Sequence, residues 1–265
     1  MNKHLNFINS YKYHPKTREE LRKIIKQRIK DEGIEVNLND INVSGITDMS
    51  WLFENLNFNG DISKWDVSNV VYMTCMFKEC REFNGDISGW NVSRVKDMHS
   101  MFFGCFNFNQ DISRWNVSNV TDMSWMFYGC ENFNQDISSW DVSNVTNMNS
   151  MFRRCEKFNK DISGWDVSNV TDMSYMFGGY YNFNQDISSW NVSNVNDMSN
   201  MFKECKNFNQ DISKWDVSNV TDMGYMFCGC RNFNQNISNW DVSNVVDMIF
   251  MFFRCKISDK YKPKF

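Results

Sequence analysis

Residues able to support catalysis or bind a metal are few in this chain, and their spacing works against both. Histidine occurs only as His4, His14 and His99, two of them in the N-terminal segment, so neither a His-centred triad nor a multi-histidine metal site is supported. Cys228 and Cys230 form a C-x-C pair, a spacing suited to redox or metal work. However, Cys230 belongs to a regular series and only Cys228 is extra. The chain has no phosphate-cradling G-x-x-x-x-G-K-[ST] loop and no glycine-rich calcium nonapeptide. Carboxylates are the stronger prospect. One series runs through Asp61, Asp86, Asp111, Asp136, Asp161, Asp186 and Asp211, and a second through Asp66, Asp141, Asp166, Asp216 and Asp241. Stacked oxygens of this kind suit calcium. Yet the first series ends in Asn236 and the second alternates with Asn91, Asn116 and Asn191. That exchange points to turn bonding with diluted like charge. The reading is therefore no enzyme, no cofactor and no metal.

The cysteines tell the same story. Cys80, Cys105, Cys130, Cys155, Cys205, Cys230 and Cys255 recur at one repeat position, interrupted by Tyr180. If they sit on helices ~8–10 Å apart, neighbours lie beyond the ~7 Å that a disulfide spans. They read as reduced, buried small hydrophobes, with the recurrent methionines filling irregular gaps beside Trp and Phe.

What positions all of these residues is an internal repeat. Trp65, Trp90, Trp115, Trp140, Trp165, Trp190, Trp215 and Trp240 are spaced by 25 residues throughout, and the neighbouring residues recur in step. Such a period means one supersecondary unit per coil, each burying its apolar side against its neighbours. In the first full copy, Ile62, Trp65 and Val67 end in an alternation that predicts a short strand, with Lys64, Asp66 and Ser68 facing solvent. Met73, Met76, Phe77 and Cys80 stand at i, i+3, i+4 and i+7, which predicts a short helix. Its first turn is capped by pairs such as Thr121-Asp122 and Thr171-Asp172. The expected fold class is α/β repeat: a leucine-rich-repeat-like solenoid with one short strand and one short helix per 25-residue coil. Strands stack ~4.8 Å apart and helices ~8–10 Å, so an arc with a concave strand side is expected.

Three segments follow from this reading. Residues 1–37 carry an N-terminal capping helix, announced by Thr17 and Glu20 as a capping box and by the stripe Leu21, Ile24, Ile25 and Ile29 ending near Gly33. Residues 38–255 are the solenoid of about nine coils, the first degenerate and one residue short before Phe58. Residues 256–265 are a basic tail that either covers the last coil or stays mobile. Net charge is -4, and the first 33 residues and the tail after Cys255 are rich in Lys and Arg, which leaves the middle acidic and disfavours nucleic acid there. No membrane span and no secretory signal are apparent, which reads as cytoplasmic by default.

The strings WDVSNVTDMSYMF at 165–177 and FNQDISSW at 183–190 resemble the BspA-like leucine-rich-repeat family of bacterial surface proteins and lipoproteins. The opening HPKTREELRKII is similar to the segment that often precedes those repeats. The resemblance spans roughly residues 14–255. It implies a solenoid whose I-x-x-W-x-V segment stands where the family has L-x-x-L-x-L. It also implies an adhesion or interaction role in mycoplasmas, other low-GC bacteria or some viruses and phages, and placement at the cell surface.

In a repeat scaffold, function belongs where copies differ. The serine-rich strand side is monotonous, whereas the outer side varies, with Trp125, Tyr175, Tyr225 and Phe250 at one repeat position and Tyr128 and Phe253 close by. These six residues are the candidate partner-binding set, for a protein of unknown identity. The prediction is that Trp125, Tyr175 and Tyr225 are exposed and contiguous. The alternative is a self-assembling protein that associates end to end through Ile249, Phe250 and Phe253 of the last coil.

Overall fold

A computed structural model describes residues 11–179 and 182–264; His4 and Tyr180 lie outside them. The one α-helix among the described residues, α1, spans Arg18–Glu32. Thr17 accepts from the Glu20 amide, and Gly33 ends the helix at φ 93°. The Glu20 carboxylate reaches back to the Lys16 amide, one residue earlier than a standard capping box. Leu21 and Ile25 are fully buried against the first coil.

Beyond α1 the chain is a repeat solenoid. Parallel bridges join Asp48 to Tyr72, Tyr72 to Asp97, and so on through Asp122, Asn147, Asp172, Asp197 and Asp222 to Asp247, one position in each of nine coils. The first step is one residue shorter than the rest because of the deletion before Phe58.

The expected strand and helix within each coil are not what forms. Residues 62–67 make no strand, and the bridge that recurs in every coil falls at the head of the stretch read as helical, with two further bridges, Tyr13 to Ile41 and Asn37 to Asp61, at the N-terminal end. Met73 to Cys80 instead forms a chain of tight turns. The amide of Met76 donates to the carbonyl of Met73, Lys78 to Cys75 and Cys80 to Phe77. The alternate amides of Met73, Cys75, Phe77 and Glu79 point outward to Asp97, His99, Met101 and Phe103 of the next coil. Cys75 and Glu79 hold left-handed conformations at φ 53° and 60°, which no α-helix tolerates. The physical reason is competition. Nucleating a short helix costs more than it returns, whereas a stacked coil offers half of these amides a partner in its neighbour. With no helices in the coils, the width difference that led to the expected arc is gone.

The core is a set of ladders. Trp65 and Trp90 stack with ring centroids 6.4 Å apart and planes 2° from parallel. Phe77 stacks on Phe83 of its own coil at 4.1 Å and on Phe102 of the next at 5.6 Å. Each indole of the eight-membered ladder reaches back one coil, Trp90 Nε1 donating to the Ile62 carbonyl at 3.2 Å, so these large buried side chains leave no polar atom stranded. The cysteines do likewise, Cys105 Sγ donating to the Phe77 carbonyl at 3.0 Å. Bridged coils lie only ~4.8 Å apart, so the distance argument against cross-linking does not hold. All nine thiols are nevertheless free, and burial raises their pKa, pushing that of Cys80 to about 12.

The tail folds back on the solenoid. Ile257 is buried, Ile237 donates to the Tyr261 carbonyl, and a 3₁₀ turn forms at Asp259–Tyr261.

Candidate functional site

The two acidic series are turn chemistry. Asp66 Oδ1 accepts the Ser68 amide at 3.1 Å and its hydroxyl at 2.6 Å. Asn91 and Asn236 accept from Ser93 and Ser238 in the same way, so the carboxylate charge is dispensable. These bonds to serine hold the carboxyls of Asp111, Asp161 and Asp216 below the ordinary range. Among the described residues no three His, Cys, Asp or Glu side chains gather as a metal site.

A serine, a histidine and an aspartate do meet, which the sequence reading did not anticipate. His99 Nδ1 lies 2.7 Å from Ser124 Oγ, and Ser124 donates to Asp122 at 2.5 Å. A hydrolytic triad needs histidine in the middle, taking the serine proton. Here serine is in the middle and its proton is committed to Asp122, while its side chain is buried. His99 Nε2 also lies 3.2 Å from the buried Ser100 Oγ, so the cluster ties together the turns of two neighbouring coils.

The candidate partner residues fall on one face. They occupy the left-handed turn position at φ 60° for Trp125, 56° for Tyr175, 58° for Tyr225 and 52° for Phe250. Cys75, Ser100, Ser150 and Asn200 share that conformation at the same repeat position, so it belongs to the coil and not to binding. The backbone thus aims this side chain outward in every coil, and only its identity varies.

Trp125, Tyr175 and Tyr225 are half-buried, and cations and further rings lie between them. Trp125 lies 5.2 Å from Tyr128, which stacks on Phe103 at 4.5 Å. The Arg153 guanidinium sits 5.6 Å from the Tyr128 ring and 4.2 Å from Tyr175, joining the two. Tyr175 and Lys203 share the wall of a shallow cleft with Arg154 and Glu204. Lys203 in turn lies 4.7 Å from Tyr225, which meets Phe250 at 5.5 Å, and Phe250 meets Phe253 at 5.6 Å. The six candidates therefore lie along one row of two contact stretches, Trp125 to Tyr175 and Lys203 to Phe253, with the cleft between them. Phe250 and Phe253 at its end are exposed.

A family described as Mycoplasma protein of unknown function, DUF285, matches residues 21–123, 105–198 and 182–261. This chain belongs to the DUF285 family. The three overlapping matches tile the DUF285 repeat without a break, as the uniform period requires. No curated protein matches. A chain in the crystal structure of the mouse RP105/MD-1 complex is similar at 10% identity, covering 76% of this chain and 39% of that one, with a TM-score of 0.29. This chain thus spans about two-fifths of the length of the chain it matches. No helix among the described residues is long and apolar enough to cross a membrane.

Proposed function

We propose that this DUF285 chain is a non-catalytic scaffold that binds a protein partner along the row from Trp125 through Tyr128, Arg153, Tyr175, Lys203 and Tyr225. The observation that carries the reading is the pair of contact stretches, Trp125 to Tyr175 and Lys203 to Tyr225, flanking one cleft on a backbone otherwise uniform from coil to coil. Trp, Tyr and Arg are the side chains on which binding energy concentrates. Here they are partly packed, so little conformational entropy remains to be lost when a partner covers them. A leucine-rich-repeat-like, BspA-like adhesion role is the finer form of this proposal, supported by the resemblance of the repeat strings.

A photo-reactive phenylalanine placed at Tyr175 or Tyr225, and at Ser168 as control, tests it in cells of the source organism. A discrete protein adduct from the first two positions and none from Ser168 is expected. Equal adducts from all three, or none, would remove the claim. A second reading, end-to-end association through the last coil, rests on the exposure of Ile249, Phe250 and Phe253. Light scattering across a concentration series tests it, and a strict monomer would exclude self-association.

A further inference from the structure

The two ends of the solenoid carry different hydrogen-bonding groups. In each coil the outward amides donate to the following coil, as Met223, Tyr225, Phe227 and Gly229 donate to the carbonyls of Asp247, Ile249, Met251 and Phe253. Carbonyls of the same stretch are turned inward to the i+3 amides, as Met223 accepts from Met226. At the head of the stretch the direction reverses, the amides of Val246 and Asp247 both donating to the Thr221 carbonyl, and past its end Lys256 donates back to Cys230. The C-terminal edge therefore presents the carbonyl of Val246 followed by the amides of Met248, Phe250, Phe252 and Arg254, none of which has a partner among the described residues. Val246 is 87% exposed, Ile249 51%, Phe250 53% and Phe253 49%, in line with these amides. The other end is covered: α1 lies over the first coil, and Arg22 donates to the Glu54 carbonyl at 3.1 Å.

From this we infer that the last coil is a docking edge for the first coil of another repeat chain whose own N-terminal edge is uncapped. The inference rests on the interaction-scaffold reading and names a partner for its C-terminal end. Hydrogen-bond complementarity selects the occupant. Two copies meeting last coil to last coil would oppose amide to amide at most positions, leaving donors buried without acceptors at ~1–3 kcal/mol each. An ordinary β-strand presents amides and carbonyls alternately along an edge, so half of its groups would meet the wrong kind. Only a coil in the same turn conformation, with alternate amides turned inward, offers an amide opposite the Val246 carbonyl and then carbonyls opposite the four amides. A second copy in its capped state offers none, because α1 is in the way. Ile249 and Phe250 then pack as Gly224 and Tyr225 already do beneath the last coil.

The test uncaps the first coil of the full chain and asks whether it finds the last coil of an intact one. Leu21→Asp with Ile25→Asp releases α1. Should that variant misfold, a protease site introduced after Gly33 and cleaved in the folded protein gives the same end. The intact chain alone should sediment as a monomer. The uncapped chain should associate head to tail with itself and with the intact chain, slowing amide exchange at residues 248–254 of the intact chain by about tenfold or more. Phe250→Glu in the intact chain should abolish that protection. A folded uncapped chain that stays monomeric, or intact chains that dimerise through their last coils, would overturn the inference. Adducts at Tyr175 and Tyr225 would be untouched by either result, so the side-face proposal stands or falls separately.

Discussion

Shared carbonyls bind successive coils together. The Ile112 carbonyl accepts both the Trp115 amide of its own coil and the Trp140 indole of the next, each at 3.1 Å. Trp140→Phe keeps a stackable ring and loses only the second bond and some contact area. A loss of about 1–2 kcal/mol is expected, read from the midpoint of urea unfolding, and no change would show the indole bond to be without consequence. The aspartates make a prediction in pH. Asp161, Asp186 and Asp211 are held below the ordinary carboxyl value of 3.8, chiefly by hydrogen bonds from Ser163, Ser188 and Ser213. A lowered folded-state pKa contributes stability that is full above 3.8 and is lost as pH falls through the folded value. Asp222 runs the other way, raised by burial and by its neighbours Asp197 and Asp247, and relieves a little strain on protonation. Since the lowered group outnumbers it, melting temperature should fall below about pH 4, and Asp161→Asn should flatten that fall. A melting temperature constant from pH 5 to pH 2 would contradict this. The turn role of these residues was legible in the sequence because Asn replaces Asp at intervals, and both side chains accept the amide two residues on without needing the charge. The His99, Ser124 and Asp122 contact was not legible, since a period of 25 aligns residues across coils without saying which rotamers meet.

Element by element, the misreading has a definite cause. Spacing of i, i+3, i+4 and i+7 marks a helical stripe, yet consecutive i to i+3 turns bring the same residues to one side. Met73, Met76, Phe77 and Cys80 satisfy both descriptions. One signal does separate them: Gly104, Gly129, Gly179 and Gly229 recur inside the would-be helix, all at positive φ. In a helix, Gly129→Ala would stabilise by up to about 1 kcal/mol. In the turn ladder the opposite is expected. Gly129 has φ 70°, and a Cβ there would meet nothing closer than 3.8 Å, so the cost is backbone strain of about 1 kcal/mol and not a clash. Chemical denaturation of this one variant therefore decides between the two local structures by its sign. Circular dichroism offers an independent check, since a 15-residue α1 in a 265-residue chain should give only a weak signal at 222 nm. The helix α1 itself was legible because it is long, capped and striped, and its Leu21 and Ile25 are the residues that seal the first coil.

For the whole molecule, the period yields the solenoid and the number of coils, but not which groups the ends expose. End polarity arises from the direction in which alternate amides point, a property of backbone conformation that no side-chain pattern encodes. It has a consequence for how the molecule opens. Nearest-neighbour coils make stability additive along the chain, so unfolding begins where a coil lacks a neighbour. The N-terminal end has α1 over it, whereas the last coil has only the tail, and Cys255 is the most exposed of the cysteines, with Cys228 and Cys75 next. Burial is the first cause of the raised thiol pKa values at Cys80, Cys105, Cys130 and Cys155, so each reacts only when its own coil opens. The thiols are thus a built-in set of reporters, nearly one per coil. Alkylation followed by peptide mass analysis under native conditions should modify Cys255 first, Cys228 and Cys230 next, and the central cysteines last. Simultaneous modification of all would mean that the solenoid opens as a single unit. Modification of Cys80 ahead of Cys255 would mean that α1 is the weaker seal.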